Sequence, residues 1–173
     1  MKYSRIIIVG SAGSGKSYLA KRMAEITGYP FVHLDNEYWK PGWVKTPREE
    51  WIASQKKMMN TEQWIIDGNY NSTMELRFEA SDAVIFLDIN RFVCIYSAIK
   101  RHGKKRSDLP DYLTENFDKE FIEFLKWIWE FPKTGKKRIV ELHNIYAEKP
   151  FIVLKSRKEV NQFIQEQEII RVG

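Results

Sequence analysis

The sequence predicts an α/β fold, a parallel sheet covered by helices on both faces, and two observations predict it. Five apolar runs of strand length, Arg5 to Val9, Phe31 to Leu34, Trp64 to Ile66, Ala83 to Leu87 and Phe151 to Leu154, alternate with helical patterns. The first run leads straight into Gly10-Ser11-Ala12-Gly13-Ser14-Gly15-Lys16-Ser17, which fits G-x-x-x-x-G-K-[ST] between a strand and a helix.

The elements follow in chain order. Tyr18, Leu19, Met23 and Ile26 recur at helical spacing after the glycine-rich segment, and Gly28 followed by Pro30 is a stop signal. Thr46-Pro47-Arg48-Glu49 offers a capping hydroxyl, a proline at the first helical position and a carboxylate beyond it. A helix to about Met59 follows, with Trp51, Ile52 and Met58 on its apolar side. Phe92 to Lys100 reads as a helix ending near Gly103, and Ser107-Asp108-Leu109-Pro110-Asp111 as a turn-rich interval. Phe117, Phe121, Phe124, Leu125 and Ile128 form a helical stripe up to Pro132. Ile139, Leu142, His143 and Tyr146 suggest a helix after Gly135, and a last one spans approximately Lys158 to Ile170. The aromatics of the stripe, Trp127 and Trp129 included, are expected in the core.

With 173 residues, 43% apolar and 29% charged, the chain has the balance of a globular protein of one domain, 1–173. Repeats, low-complexity tracts and linkers are absent. Met1 to Ser4 enter the first strand without the regions of a signal peptide, and no apolar run has the length of a membrane span, so the expected compartment is the cytoplasm. Cys94 is the only cysteine and lies in an apolar helical stretch, where an inert thiol is expected. The net charge of +5 is concentrated in Lys100 to Arg106 and Lys133 to Arg138. Charge alone leaves open a solvated face, a phosphate clamp or a nucleic-acid footprint.

The glycine-rich segment carries the strongest chemical signal. Its glycines let successive N–H groups turn inward on phosphate oxygens, and the helix beginning near Lys16, Ser17 and Tyr18 aims its positive dipole end at the same place. Lys16 would reach the β- and γ-phosphates of a bound polyphosphate, and the Ser17 hydroxyl would ligate the accompanying Mg²⁺. In an open parallel sheet the ligand crevice lies beyond the carboxyl ends of the strands, so the residues there are the remaining candidates. Asp67 is preferred to Asp88 as the metal carboxylate, because Gly68 beside it admits a close approach; turn chemistry is the alternative. Asp35 would orient the acceptor or take its proton, or serve as a turn residue. Asn69 and Arg77 are assigned to the acceptor. Arg101, Arg106 and Arg138 are grouped to cover transferring phosphates, and Arg157 in Lys155-Ser156-Arg157 to frame the base. Trp39 and Trp43, expected on a loop, either wall an acceptor pocket or shield the core edge. His33, His102 and His143 show no metal-ligand spacing and are expected to be structural.

These residues resemble the nucleoside-monophosphate-kinase group of P-loop kinases. More narrowly they resemble the adenylate-kinase-like DNA topology modulation, or FlaR-related, proteins. The likeness rests on Gly10 to Ser17, His33-Leu34-Asp35 with Trp39-Lys40-Pro41-Gly42-Trp43, Trp64 to Tyr70 with Arg77, and Phe86-Leu87-Asp88 with Arg91. It implies a three-layer P-loop fold with five parallel strands ordered 2-3-1-4-5, ATP with Mg²⁺, and a short helical lid over approximately residues 101–138. Asp67-Gly68-Asn69-Tyr70 stands where adenylate kinases have Asp-Gly-Phe-Pro-Arg, so AMP as acceptor does not carry over. The expected function is ATP- and Mg²⁺-dependent phosphoryl transfer to a small-molecule acceptor, a nucleoside, nucleotide or other metabolite. The alternatives are a nucleotide-dependent DNA-binding regulator and an ATP-binding protein without turnover. No recognised DNA-reading module accompanies the basic clusters.

Overall fold

The computed structural model describes residues 2–42, 44–102 and 119–172. Five parallel strands, β1 (Arg5–Gly10), β2 (Phe31–His33), β5 (Trp64–Asp67), β6 (Ala83–Leu87) and β7 (Phe151–Leu154), lie in the order β2-β5-β1-β6-β7. Counted along the chain within this sheet, that is the expected 2-3-1-4-5. Ile6 to Val9 are fully buried because β1 is central, with β5 pairing on one side (Ile8 opposite Asp67) and β6 on the other (Gly10 opposite Leu87).

Side chains alternate across each strand, so the sheet feeds two apolar layers. Ile6, Ile8, Ile65, Ile85 and Leu87 pack with Leu19 and Met23 of α1 (Lys16–Thr27), Cys94 and Ala98 of α5 (Arg91–Arg101), Ile128 of α6 (Lys119–Glu130) and Val160 and Ile164 of α8 (Arg157–Val172). Ile7, Val9, Ile66, Val84 and Phe86 face Leu34 of α2 (Leu34–Tyr38), Trp51 of α3 (Arg48–Met58), Met74 and Phe78 of α4 (Met74–Ala80), and Ile139 and Leu142 of α7 (Gly135–Ile145). Gly28 closes α1 in the left-handed conformation and donates its N–H to Ala24 O, as the stop signal predicts.

Three local expectations are corrected, and two short helices are added. Thr46 does not cap α3: its hydroxyl donates to Tyr38 O at 2.6 Å, and Pro47 occupies the cap position. Trp39 lies not on a loop but in β3 (Trp39–Lys40), antiparallel to β4 (Val44–Lys45); Trp43 falls outside the described residues. The short helices α2 and α4 carry too few turns to show a period in the sequence. Trp127 and Trp129 remain 44% exposed, since α6 turns only one face, with Phe121 and Ile128, into the core. The Ser107-to-Asp111 interval and Phe117 lie outside the described residues.

At the amino ends of the strands Asp82 ties β1 down. Its Oδ1 accepts from Arg5 Nη2 at 2.6 Å, and its Oδ2 from the Arg5 and Ser4 N–H groups at 3.0 and 3.3 Å. Burial pushes the Asp82 carboxyl up, but the Arg5 guanidinium and the two N–H donors outweigh it and hold the group below its ordinary value. A depressed folded pKa means stabilisation that is present above the unfolded value, 3.8, and lost as pH falls through the folded one. Asp82→Asn is therefore expected to melt earlier than the native chain at pH 7, with the gap closing as the pH drops below that value; a gap independent of pH in thermal melts would refute this.

Candidate functional site

The loop between β1 and α1 owes its path to glycine. Gly10, Gly13 and Gly15 have φ of 149°, 73° and 99°, conformations that side chains resist. A Cβ on Gly13 would lie 2.2 Å from Cys94 O, and one on Gly10 2.7 Å from Leu87 O, so the loop rests directly on the backbone of its neighbours. Asn69 fastens its start, accepting from Gly10 N–H at 3.0 Å and donating to Gly10 O at 2.8 Å. Lys16 Nζ lies 3.1 Å from Ser11 O. Ala12, Ser14, Ser17 and Tyr18 complete the loop and the first turn of α1, where Tyr18 is exposed.

Arg157, at the start of α8, reaches back to the loop. Its Nη2 donates to Gly13 O at 2.7 Å and to Ser97 Oγ at 3.2 Å, and it occupies the space beside Gly15. Burial pushes the Cys94 thiol up, while Lys16, Arg157 and Arg101 pull it down. Arg138 does not join them. It sits on α7 in ion pairs with Glu75 of α4 at 2.8 Å and Glu141 at 3.8 Å, which removes it from the grouping expected of it. Arg106 lies outside the described residues.

On the other side of the loop, the strand ends bring four polar groups into a line. Register places His33 beside Asp67, and its Nδ1 lies 2.8 Å from Asp67 Oδ2. His33 Nε2 lies 3.5 Å from Asp35 Oδ2, and Asp35 Oδ1 accepts from Tyr70 Oη at 2.7 Å. Tyr70 has φ 40°, the only positive value among the described non-glycine residues. Burial, reinforced by Asp35, pushes its phenol well above the ordinary tyrosine range. Tyr70 also belongs to an aromatic wall with Tyr38 at 4.6 Å and Trp51 at 5.2 Å between ring centres, and Trp39 meets Tyr38 edge-on at 5.0 Å.

The two rival carboxylates differ in their surroundings. Asp88 accepts from Lys136 Nζ at 2.7 Å and is thereby neutralised. Asp67 is fully buried, and its Oδ1 has no hydrogen-bond partner among the described residues. The close approach at Gly68 is made by the Leu34 side chain, whose Cβ would stand 2.9 Å from an added methyl; that space is packing rather than access.

Arg77 is fully buried and turned inward. Its guanidinium donates to Gln55 Oε1, to Thr73 Oγ1 at 3.1 Å and to Asn69 O, so it braces the turn whose side chain holds Gly10. Burial lowers its pKa to about 9. Asn69 and Arg77, expected to meet an acceptor, thus contact the protein's own loops. Sequence reasoning missed His33, Tyr70, Tyr38 and Lys136 as members of the site. Only the adjacency of His33 to Asp35 hinted at the first; the others depend on register and packing.

Among the described residues no helix is long and apolar enough to cross a membrane, and no three of His, Cys, Asp and Glu cluster as metal ligands. A nucleotide-borne Mg²⁺ needs no such cluster, since phosphates and water supply most of its ligands.

No family model matches the sequence, and no curated protein sequence matches it. The fold is that of P-loop kinases. A shikimate kinase from Acinetobacter baumannii, in complex with shikimate, superimposes with a TM-score of 0.63 at 12% identity, covering 99% of this chain and 93% of its own. A gluconokinase from Sinorhizobium meliloti 1021 gives 0.55 at 16%, with 98% and 91% covered. A shikimate kinase from Bacteroides thetaiotaomicron gives 0.53 at 15%, with 97% and 98% covered.

Gly13→Ala places a methyl against Cys94 O and forces a left-handed alanine. It is expected to cost roughly 1–3 kcal/mol, read as a fall of about 2–4 °C in Tm per kcal/mol for a chain of this length. An unchanged Tm would show that the loop tolerates a side chain there.

Proposed function

We propose that the chain is a small-molecule kinase of one domain that transfers the γ-phosphoryl group of ATP to an acceptor hydroxyl. The observation that carries this reading is the glycine loop laid on the backbones of Leu87 and Cys94, with a buried carboxylate, Asp67, at the end of the adjoining strand. Its amides and Lys16 would hold the phosphates, while Arg101 and Arg157 add positive charge on the Cys94 side. Ser17 and Asp67 would hold Mg²⁺, whose bound form neutralises charge building between the β- and γ-phosphates. Asp35, braced by Tyr70, orients the acceptor hydroxyl and receives its proton. The hydroxyl oxygen then bonds to the γ-phosphorus as the β,γ-bridging bond breaks, and ADP leaves. Trp39 and the neighbouring aromatic wall, with Trp43, would border the acceptor. Asn69 and Arg77 act at one remove, by keeping Gly10 in place.

Of the expected lid, residues 101–138, Ile128 of α6 belongs to the core and Arg138 is paired with Glu75, so Arg101 and Arg106 are the lid cations proposed to face the phosphates. Direct nucleic-acid binding is the weaker alternative, because Lys136 and Arg138 of the second basic cluster are engaged by Asp88 and Glu75. Likeness to the topology modulation proteins extends the proposal to that family, and a cytoplasmic setting fits a consumer of ATP.

ADP release is to be followed with ATP, Mg²⁺ and a panel of hydroxylated acids such as shikimate, nucleosides and nucleoside monophosphates. Acceptor-dependent turnover by the native chain is expected to fall by a factor on the order of 100 or more in Lys16→Ala. Turnover indifferent to every acceptor, or absent with all of them, would defeat the proposal.

A further inference from the structure

We propose that His33 is a positioning residue: it holds one oxygen of Asp67 so that the other remains available to a nucleotide-borne divalent cation, and it spaces Asp67 from Asp35. The inference rests on the kinase reading above and adds a device that reading does not contain.

Register supplies the first part of the argument. His33 ends β2 directly opposite Asp67 at the end of β5, and both side chains are buried, at 6% and 0% exposure. An ionised carboxylate only accepts, so the ring carries its hydrogen on Nδ1 toward Oδ2. The other ring nitrogen faces Asp35, whose second oxygen is occupied by Tyr70. Rotation of the imidazole would break its hydrogen bond to Asp67 and take the ring out of its place between the two carboxylates. The acceptor-side and metal-side oxygens are therefore kept one imidazole apart.

Charge supplies the second part. Asp82 is matched by Arg5 and Asp88 by Lys136, whereas Asp67 has no ion pair with lysine or arginine among the described residues. Leaving a buried carboxylate oxygen without a partner is costly. Orienting ligands through a second group that holds their other atom is how proteins set up metal-binding carboxylates and imidazoles. His33 stands in that relation to Asp67, and Oδ1 is the atom left over.

The test is binding, with the non-hydrolysable ATP analogue AMPPNP titrated calorimetrically in Mg²⁺ and in EDTA; the readout is the ratio of the two affinities. His33→Asn keeps a donor near the position of Nδ1, while His33→Gln moves its amide toward the position of Nε2. His33→Gln is expected to cut the Mg²⁺ ratio about tenfold and to leave the EDTA affinity near native, and His33→Asn to restore much of the ratio. In an Asp67→Asn background the ratio is already lost, and His33→Gln should add nothing. Thermal melts check folding, and His33→Ala replaces His33→Gln if the latter does not fold. A native ratio in the His33 variants, an equal loss in His33→Asn and His33→Gln, or a full ratio in Asp67→Asn would each overturn the proposal while native nucleotide binding upholds the loop. Failure of the native chain to bind AMPPNP at all would overturn both together.

Discussion

The structure depends on one steric constraint, the passage of the chain from β1 to α1 across the backbones of Leu87 and Cys94. A loop that close to its neighbours has no room for Cβ atoms at Gly10 or Gly13, and its positive φ angles exclude ordinary residues independently. The sheet order follows the same logic. With β5 and β6 flanking β1, the carboxyl ends of these two strands deliver Asp67 and Asn69, and Asp88, around the loop that leaves β1. The Asn69 side chain converts that adjacency into a fixed attachment by satisfying both backbone groups of Gly10.

Around this frame, charge is distributed unevenly. Away from the loop several acidic residues have basic partners: Asp82 with Arg5, Glu75 with Arg138, Glu168 with Arg22. Near the loop two buried charges depart from that pattern. Asp67 is held by an imidazole, and Arg77 by the neutral oxygens of Gln55, Thr73 and Asn69. Low-dielectric surroundings make such groups expensive, and burial has already drawn the Arg77 guanidinium down to about 9. Arg77 is compensated by hydrogen bonds that order a turn. The Asp67 carboxylate keeps one oxygen without a hydrogen-bond partner among the described residues.

The two faces of the site are built differently. On the side of the glycine loop, backbone geometry dominates, with Arg157 on the loop itself. On the side of β2 and β5, aromatic packing and a chain of side-chain contacts run from Asp67 through His33 and Asp35 to Tyr70.

Local chemistry was enough to read the strands, the glycine loop and the long helices from sequence, because period-2 and period-3.6 patterns and the Gly-Lys-Ser run are properties of contiguous residues. It was also enough to choose Asp35 and Asp67 as carboxylates at strand ends. Partnership was beyond its reach. Nothing in the chain order says that His33 meets Asp67 across β2 and β5, that Lys136 claims Asp88, that Glu75 takes Arg138 away from the loop, or that Arg77 turns inward to brace Asn69. The first three of those contacts join residues far apart in sequence, and the last depends on burial of the Arg77 side chain, so register and packing between elements decided them.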